Sequence, residues 1–547
     1  MNTAHFQRDL SQLGSDVMGM ARLIKAVPDF FRERVTLERA KERIKRDLAR
    51  REERFLETVR SQVFERPRSP YLKLLKLAGC EFPDLQSAVR RFGVEETLVR
   101  LAREGAYLTI EEFKGKKDVI RGGDSFRVLP GAFDSNFGSV GYRTQSSGTS
   151  NEPTRSFVSL GLLRIRTPVS CVAFAAHGLF SHAHAMYDSI LPGSGGINNL
   201  LIYSKMGLTT DRWFARKVPI SARSERLYHY LTTQLIVLAA SRFGSGFPKP
   251  EFMAHEEIET IVYWAAAEQS RTGAACITTA ASNAVRIARQ ALRLGISLDR
   301  TKFIVTGEPF TESKREAIEA IGAAGIPRYA YGGSVNIGYG CANPLFTDEV
   351  HVNQHLLALC ANPRPLNETS SGINPLLCTT LDPAFPRLLF NVESGDYGCI
   401  IRRECGCALE KAGLSLHLHR IRSFEKFTSE GMNYFYGDLY ELFERTFPRQ
   451  FGGDPGDYQL IEEEDDTGQT RLTLIVHPQV KDLDDNRIIA VLRAELSKRS
   501  RGDRFMTDVW TRAGTFKLKR EVPYASPRGK VLPLHILHAP ERKSGCG

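Results

Sequence analysis

The chain has 547 residues, of which 42% are hydrophobic and 25% charged, and its formal net charge is +11. A chain of this length exceeds what one hydrophobic core usually supports, so the sequence predicts at least two domains. Its hydrophobic content is ordinary for a globular protein, which excludes wholesale disorder. The apolar runs fall short of the roughly 18 to 20 residues that a membrane-spanning helix needs, which excludes a spanning helix.

The first ten residues, MNTAHFQRDL, have neither the basic region nor the apolar region of a cleaved secretion signal. Ten cysteines are few for this length, so we expect a cytoplasmic protein whose cysteines are thiols or metal ligands. The positive charge favours acidic partners such as nucleotides, CoA or an acidic carrier protein.

Residues 33–61 are dense in Arg, Lys and Glu with apolar residues at helical spacing, which predicts a long helix. Its basic residues could bind nucleic acid, or acids and bases could offset each other along a solvated helix. Aromatic residues do not interleave the basic ones as a stacking platform requires, so we favour the solvated helix and expect no nucleic-acid partner.

From residue 66 to 424, apolar strands alternate with amphipathic helices; for example, a strand at 301–307 leads into a helix at 312–326. This pattern predicts an α/β fold with a mainly parallel sheet, helices on both faces and ligands at the strand carboxyl ends. Later residues predict a helix, a hairpin at 458–477 and another helix, a small α+β unit. The predicted domains are an N-terminal helical extension at 1–65, a large domain at 66–424 and a small C-terminal domain at 425–547.

Residues 146–155 form a hydroxyl- and glycine-rich stretch that ends at Arg155. Small residues let backbone N–H groups approach an anion, and hydroxyls and arginine add donors, so the composition suits a phosphate cradle. It is not a Walker A loop, and a polar surface loop is the alternative. The candidate phosphate-binding residues are Ser146, Ser147, Gly148, Thr149 and Ser150.

The order of these residues, SSGTSNEPT, resembles the SSGTTGxPT signature of phenylacetate-CoA ligases and related adenylate-forming enzymes. Further motifs of that family follow in order along the chain. The resemblance implies a large adenylating domain with a small mobile C-terminal lid, and ATP-dependent activation of a carboxylic acid as an acyl adenylate. It also implies Mg²⁺ with the ATP.

Two motifs resemble those that line the adenine pocket. Residues 306–311, TGEPFT, are similar to G-x-E-P-W/L-T, and residues 329–334, YAYGGS, are similar to Y-G-x-S/T-E. The resemblance implies that the tyrosine packs on adenine and that the serine faces the α-phosphate. The residues carried over are Gly307, Glu308, Pro309, Tyr331, Gly332 and Ser334.

The sequence departs from the family at Val335, where relatives have a glutamate that helps to hold magnesium. Valine cannot coordinate a hard cation. Either Asn336, another carboxylate, or the ATP phosphates with water hold the metal, or adenylation is altered or lost.

Three C-terminal motifs complete the resemblance. Asp396, in SGDYG, fits the aspartate that accepts hydrogen bonds from both ribose hydroxyls. Arg422 and Glu425 align with an arginine near ribose and phosphate and with the acid of the interdomain hinge. Lys517, in AGTFKLKR, aligns with the catalytic lysine, whose ammonium would stabilise charge at the α-phosphate; Lys519 is the second choice.

A zinc site is a further implication, because relatives carry a C-x-C-G element paired with an earlier cysteine and histidine. Cysteines are also commonly buried as small apolar residues, which is the alternative. The candidate ligands are Cys341, His351, Cys405 and Cys407, which suit tetrahedral zinc, with Cys399, His417 and His419 as further candidates.

Residues 175–184 resemble the family region that lines the acyl pocket, which makes His177 and His182 candidates for contacting the carboxylate. The acceptor is left open between CoA, a carrier-protein phosphopantetheine and another nucleophile, as in an amide-forming or acyl-protein synthetase. A nucleotide- or acyl-binding protein that no longer adenylates is the alternative of a different class.

Overall fold

A computed structural model describes residues 18–135, 140–145, 155–193, 195–216, 223–331, 335–362, 374–423, 436–464, 470–481, 483–497, 516–525 and 529–537. The helices are α1 (18–31), α2 (Leu37–Ala49), α3 (Arg51–Val59), α4 (Pro70–Leu77), α5 (Phe82–Arg103), α6 (Ile110–Phe113), α7 (Leu160–Ala176), α8 (Gly195–Lys205), α9 (Arg223–Phe243), α10 (Glu259–Thr272), α11 (Ala281–Arg293), α12 (Glu312–Glu319), α13 (Ala408–Lys411), α14 (Tyr436–Glu441), α15 (Phe447–Phe451) and α16 (Asp485–Ser497).

The strands are β1 (Val119–Arg121), β2 (Asp124–Phe126), β3 (Gly141–Gln145), β4 (Arg155–Ser159), β5 (Ala183–Tyr187), β6 (Arg212–Arg216), β7 (Pro250–Met253), β8 (Ala275–Ala280), β9 (Thr301–Thr306), β10 (Ala324–Tyr331), β11 (Val335–Gly340), β12 (Val350–Val352), β13 (Leu357–Ala361), β14 (Pro375–Thr380), β15 (Val392–Arg402), β16 (Leu416–Ser423), β17 (Tyr458–Glu464), β18 (Thr470–Val476), β19 (Phe516–Arg520) and β20 (Leu534–Leu537).

A 12-stranded sheet forms the centre of the molecule, in the order β13-β14-β15-β16-β12-β11-β10-β9-β8-β5-β6-β7. The strands from β7 to β10 are parallel, as crossover helices between them allow. The strands from β10 to β13 are antiparallel. The predicted α/β class is confirmed, and the antiparallel half is a feature that the strand–helix alternation did not indicate.

Helices cover both faces of the parallel half because alternate residues of each strand point to opposite faces. Cys276 and Ile304 join the apolar cluster that contains α7 and α8, whereas Ile277 and Phe303 join the cluster that contains α10 and α11. The strands are therefore apolar on both sides, which explains their near-continuous hydrophobic runs.

The charged segment at 33–61 forms two helices, α2 and α3, which meet at Arg50. Phe55 and Val59 are fully buried in the main core, so this segment packs against the sheet region on one side. Several of its basic side chains are in ion pairs with acids: Arg51 with Glu95, Arg54 with Asp382, and Arg43 with Asp47.

The C-terminal part contains a separate four-stranded sheet in the order β19-β18-β17-β20. The predicted hairpin is confirmed, because β17 and β18 pair antiparallel with Leu460 opposite Leu474. These strands and α14–α16 bury their own apolar cluster, which includes Phe447 and Leu492. The domain boundaries at 65 and 424 stay a prediction. Across the described part of the chain, every helix is too short or too polar to cross a membrane.

Candidate active site

The carboxyl ends of the parallel strands meet at one edge of the large sheet. Thr306, the last residue of β9, pairs with Ala280 of β8 on one side and with Arg328 of β10 on the other. The turn that begins at Gly307 and the end of β10 at Tyr331 therefore lie at this edge, where open α/β sheets bind ligands. Tyr331 is half-buried and pairs with Val335 across the β10–β11 hairpin.

Lys530 reaches this edge from the C-terminal sheet region. A Cβ built on Gly307 would lie 2.8 Å from Lys530 Cε and 3.0 Å from its Nζ. The backbone φ of Gly307 is +84°, which a residue with a side chain rarely adopts. Arg286 Nη1 donates to the carbonyl of Gly529 over 3.1 Å and holds the Lys530 segment in place. Gly307 thus gives room for an ammonium group beside the turn.

The sequence prediction chose a different lysine. Lys517 lies on β19, where it pairs with Thr473 and is exposed. The lysine that the structure brings to the Gly307 turn is Lys530, which the sequence motifs did not select. The catalytic role of Lys517 stays a prediction. The sequence does contain a signal for Lys530: Pro527 and Gly529 come shortly before it, and this composition is typical of a turn.

A buried ion network ties the Gly307 turn to the helical segment before β17. Lys314 Nζ lies 2.9 Å from a carboxylate oxygen of Glu444 and 3.5 Å from one of Glu308. Ser282 donates to Glu308, and Thr311 donates to Glu444. Because all these groups are nearly inaccessible to water, they fix the turn firmly against the C-terminal part.

Asp396, the candidate ribose ligand on β15, is held by a tyrosine. Tyr329 donates its hydroxyl to Asp396 Oδ2 over 2.6 Å. Burial, with the nearby Asp396 charge next in effect, raises the pKa of Tyr329 well above its ordinary value. The tyrosine therefore stays protonated and acts as a donor that positions the carboxylate.

Arg422 is next to Asp396 in the sheet, because Tyr397 of β15 pairs with Arg422 of β16. Its guanidinium donates to Asp348 Oδ2 over 2.8 Å, and Asp348 also accepts from the backbone N–H groups of Arg420 and Ile421. This arrangement orients Arg422 before any ligand arrives.

Several predicted residues lie outside the described residues: the Ser-Gly segment at 146–150, Gly332, Ser334 and Glu425. Their flanks are described. Gln145 pairs with Arg155, so the Ser-Gly segment connects the two strands of the β3–β4 ribbon. Val335 is buried in β11, and next to it the side-chain amide of Asn336 is buried with no hydrogen-bond partner among the described residues.

The two candidate acyl-pocket histidines lie at the opposite edge. His177 ends α7, and its Nε2 is 2.9 Å from the carbonyl oxygen of Gly340; His182 directly precedes β5. Burial lowers the pKa of both. The amino end of β5 is far along the strand from the Gly307 turn, so the structure does not bring these histidines to that turn. His177 instead lies near the candidate zinc ligands, because Gly340 directly precedes Cys341.

The four candidate zinc ligands come together. The ligand atoms of Cys341, His351, Cys405 and Cys407 all lie within 4.8 Å of one another. His351 Nε2 is 3.2 Å from Cys407 Sγ and 3.6 Å from Cys405 Sγ, near the edge of about 3.5 Å that zinc–nitrogen and zinc–sulfur bonds imply for a tetrahedron. His351 Nδ1 contacts the carbonyl of Leu414 at 2.6 Å, which directs Nε2 toward the thiols.

The surroundings of this cluster also suit a metal. Arg403 contacts Cys341 Sγ at 3.5 Å and pairs with buried Glu349, which contacts His417 Nδ1 at 2.6 Å. A hydrogen bond from Cys341, and then one from His351, lowers the pKa of Cys407. Of the further candidates, Cys399 is exposed and His419 stacks on Phe346. The residues present therefore fit a tetrahedral zinc ion, away from the Gly307 edge.

No protein-family model matches the sequence, and no curated protein matches it. Among solved structures, the chain is similar to 2-hydroxyisobutyryl-CoA ligase in the postadenylation state, at 13% identity over 91% of this chain and 90% of that chain, with a TM-score of 0.46. The anthranilate CoA ligase AuaEII in complex with anthranoyl-AMP is 10% identical over 71% and 65% of the two chains, with a TM-score of 0.42.

The O-succinylbenzoate coenzyme A synthetase from Bacillus subtilis, in complex with ATP and magnesium ion, is 10% identical over 72% and 68%, with a TM-score of 0.40. Similarity at this level carries no inference about function, which therefore rests on the residues of this chain.

Proposed function

We propose that the chain uses ATP to activate a carboxylic acid as an acyl adenylate and then transfers the acyl group to a nucleophile. The observation that carries this proposal is the meeting of Lys530 with the Gly307 turn, beside the bonded pair of Tyr329 and Asp396. In this proposal the glycine turn lies beside the adenine. The carboxylate accepts hydrogen bonds from the ribose diol, and the ammonium group neutralises charge on the phosphates.

Each residue has a role in this proposal. Asp396 accepts hydrogen bonds from the ribose hydroxyls while Tyr329 holds it, and Arg422 contributes positive charge near ribose and phosphate. The Ser-Gly segment at 146–150 cradles the phosphates. Lys530, rather than Lys517, supplies the ammonium between the substrate carboxylate and the α-phosphate. Tyr331 and Ser334 keep the adenine and α-phosphate roles that the sequence motif implies.

The reaction has two steps. A carboxylate oxygen forms a bond to the α-phosphorus, the bond from that phosphorus to the bridging oxygen of the β-phosphate breaks, and pyrophosphate leaves. A nucleophile then attacks the acyl carbon, and AMP leaves. The positive charge of Lys530 stabilises the negative charge that builds on the α-phosphate oxygens. Magnesium enters with ATP, and Val335 adds no ligand to it.

The acceptor that we propose is a thiol, either of CoA or of a carrier-protein phosphopantetheine, as the phenylacetate-CoA ligase-like motifs imply. The segment after Glu425 would act as a lid that excludes water from the hydrolysable adenylate. The buried Lys314–Glu444 pair supports a closed position of that lid over the Gly307 turn.

We also propose that Cys341, His351, Cys405 and Cys407 hold a structural zinc ion. All four protein ligands would occupy the tetrahedron, and a closed tetrahedron leaves no open position for a reacting group. The ion would join the end of β11 to β12 and to the turn before α13. Its contribution is stability rather than chemistry.

The test is ATP–pyrophosphate exchange with a panel of carboxylic acids, followed by mass spectrometry of the product formed with CoA, a phosphopantetheine carrier or an amine. Exchange that depends on an acid and is lost in Lys530→Ala supports the enzyme. Tight ATP binding without exchange for any acid would instead support the alternative, a nucleotide-binding protein that has lost adenylation, for which the Val335 position is the specific observation.

A further inference from the structure

Two arginine side chains are buried together between the large sheet and the helices α7 and α8. Arg166, on α7, is 5% exposed, and Arg328, on β10, is 7% exposed. Helix α7 is held over β11 by the hydroxyl contact of Ser170 with Tyr339, at 2.6 Å. Tyr339 is the cross-strand partner of Arg328, and Ser170 lies one helical turn after Arg166, so both arginines lie in the space between α7 and the β10–β11 hairpin. The charge of Arg328 adds to the larger effect of burial in lowering the pKa of Arg166.

Neither arginine has an acidic partner among the described residues. Arg328 Nη1 donates to Asn199 Oδ1 over 2.7 Å, and neighbouring Asn198 Oδ1 accepts from Tyr142 over 2.5 Å. Within the described ranges, three buried atoms of this cluster have no hydrogen-bond partner: Nε of Arg166, Nε of Arg328 and Nδ2 of Asn199. All three are hydrogen-bond donors, so the cluster has donors and positive charge in excess of acceptors.

Such an arrangement is unfavourable by itself. A buried guanidinium is usually paired with a carboxylate, because removing the charge from water is costly and a second nearby cation adds repulsion. An anionic group with several acceptor oxygens would neutralise both arginines and accept from all three orphaned donors. The cluster therefore has the composition of an anion site.

The cluster adjoins the proposed nucleotide site. Arg328 is in register with Thr306, which directly precedes Gly307. Asn199 lies in the first half of α8, the helix that follows the carboxyl end of β5 at Tyr187. An acid whose reacting carboxylate is at the α-phosphate could thus extend toward Arg166 and Arg328.

We propose that the substrate is an acid with a second anionic group, of the dicarboxylic class, and that Arg166 and Arg328 bind this second group. This inference rests on the proposed function for the reaction at the first carboxylate. The binding of the anion itself is separate from that reaction and can be measured without ATP.

The experiment compares matched acids that differ in the second group: glutarate with pentanoate, adipate with hexanoate, and isophthalate and 3-sulfobenzoate with benzoate. Binding is measured by calorimetry without ATP, and turnover by pyrophosphate exchange. We expect the dianion of the preferred pair to bind about 10- to 100-fold more tightly than its monoanion, as charge-assisted hydrogen bonds allow. The sulfonate arm distinguishes a carboxylate requirement from a general anion requirement.

Arg166→Met should abolish the preference for the dianion, and Arg328→Met is the second variant in case the first does not fold. The matched control is Arg164→Met, on the same helix but exposed and paired with Asp29, which should keep the preference. Thermal unfolding separates binding from a structural role. Removing an unpaired buried charge should raise the Tm of the ligand-free protein and remove the rise in Tm that the dianion causes.

Two outcomes overturn the inference: equal binding of monoanions and dianions by the unmodified protein, or a dianion preference that survives both Arg166→Met and Arg328→Met. Exchange with monocarboxylic acids in either case would leave the proposed function standing. Arginine-dependent binding of a dianion with no exchange for any acid would support the anion site and count against the proposed function.

Discussion

Tyr329 of β10 donates a 2.6 Å hydrogen bond to Asp396 of β15, although three strands separate β10 from β15 in the sheet order. The antiparallel half of the sheet must therefore curl back toward the carboxyl edge of the parallel half. This curvature brings Asp396 to Tyr329, which follows the residue in register with Thr306. The tyrosine is therefore a positioning residue for the carboxylate.

Tyr329→Phe removes the donor that holds Asp396. We expect the Kd for AMP to rise about 3- to 10-fold, because one positioning hydrogen bond of about 0.5–1.5 kcal/mol is lost. Isothermal calorimetry with AMP measures this change. Tyr263→Phe, at an exposed position on α10, is the control. Unchanged AMP affinity in Tyr329→Phe would show that Asp396 is not a nucleotide ligand or does not need the tyrosine.

Alanine substitution of Lys530 and of Lys517 should affect the pyrophosphate-exchange rate to very different degrees. Lys530→Ala should lower the pyrophosphate-exchange rate by about 100- to 1000-fold, as the loss of a positive group at a developing charge does in other enzymes. Lys517→Ala, on exposed β19, should change the rate less than about twofold. The reverse result would restore the lysine that the sequence motif selected.

Gly307→Ala tests the contact between the turn and Lys530. The backbone strain at φ +84° should lower the free energy of unfolding by about 1–2 kcal/mol, and the added methyl group would displace the lysine and reduce exchange. Gly295→Ala is the matched control, since its φ is +65° but a Cβ there meets no atom within 4 Å. It should show a similar loss of stability, measured by urea unfolding, with exchange retained. Equal activity in both variants would contradict the placement of Lys530.

The cysteine cluster predicts a bound metal. The purified protein should contain about one zinc ion per chain, measured by plasma mass spectrometry, and Cys407→Ser should lose it with a fall in Tm of about 5 °C or more. Cys399→Ser, at an exposed cysteine, should keep both metal and Tm. If the purified protein contains no zinc and added zinc does not change its Tm, these residues are buried thiols and an imidazole without a metal.

His355 should make the free energy of unfolding fall as the pH is lowered. It is buried, neither ring nitrogen has a partner among the described residues, and burial and then Arg54 lower its pKa to about 3. The unfolded state, with a pKa near 6.5, therefore takes up the proton first as the pH falls. Between pH 6.5 and about pH 3 this residue reduces the free energy of unfolding by about 1.4 kcal/mol per pH unit.

Urea unfolding of the unmodified protein and of His355→Phe at pH 7.5 and pH 5.0 measures this effect. Between those two pH values the unmodified protein should lose about 2 kcal/mol more than the variant. Parallel losses in the two proteins would mean that the histidine titrates in the folded state near its ordinary pKa.

The sequence by itself determined the strand–helix alternation, the hairpin at 458–477 and the residue types that a nucleotide or a metal needs. These features are local, because hydrophobic periodicity and turn residues act within a few positions of each other. The four possible zinc ligands were implied by the family resemblance, and the structure then places their ligand atoms within 4.8 Å of one another.

Only the tertiary structure decided which distant residues share a site. It brought Lys530, not Lys517, to Gly307, and it placed His177 at the opposite edge of the sheet. It also buried Arg166 of α7 and Arg328 of β10 on the same side of the sheet, without an acidic partner among the described residues. Such relationships depend on strand order, sheet curvature and the packing of helices on one face, and these arise from long-range burial that no local pattern specifies.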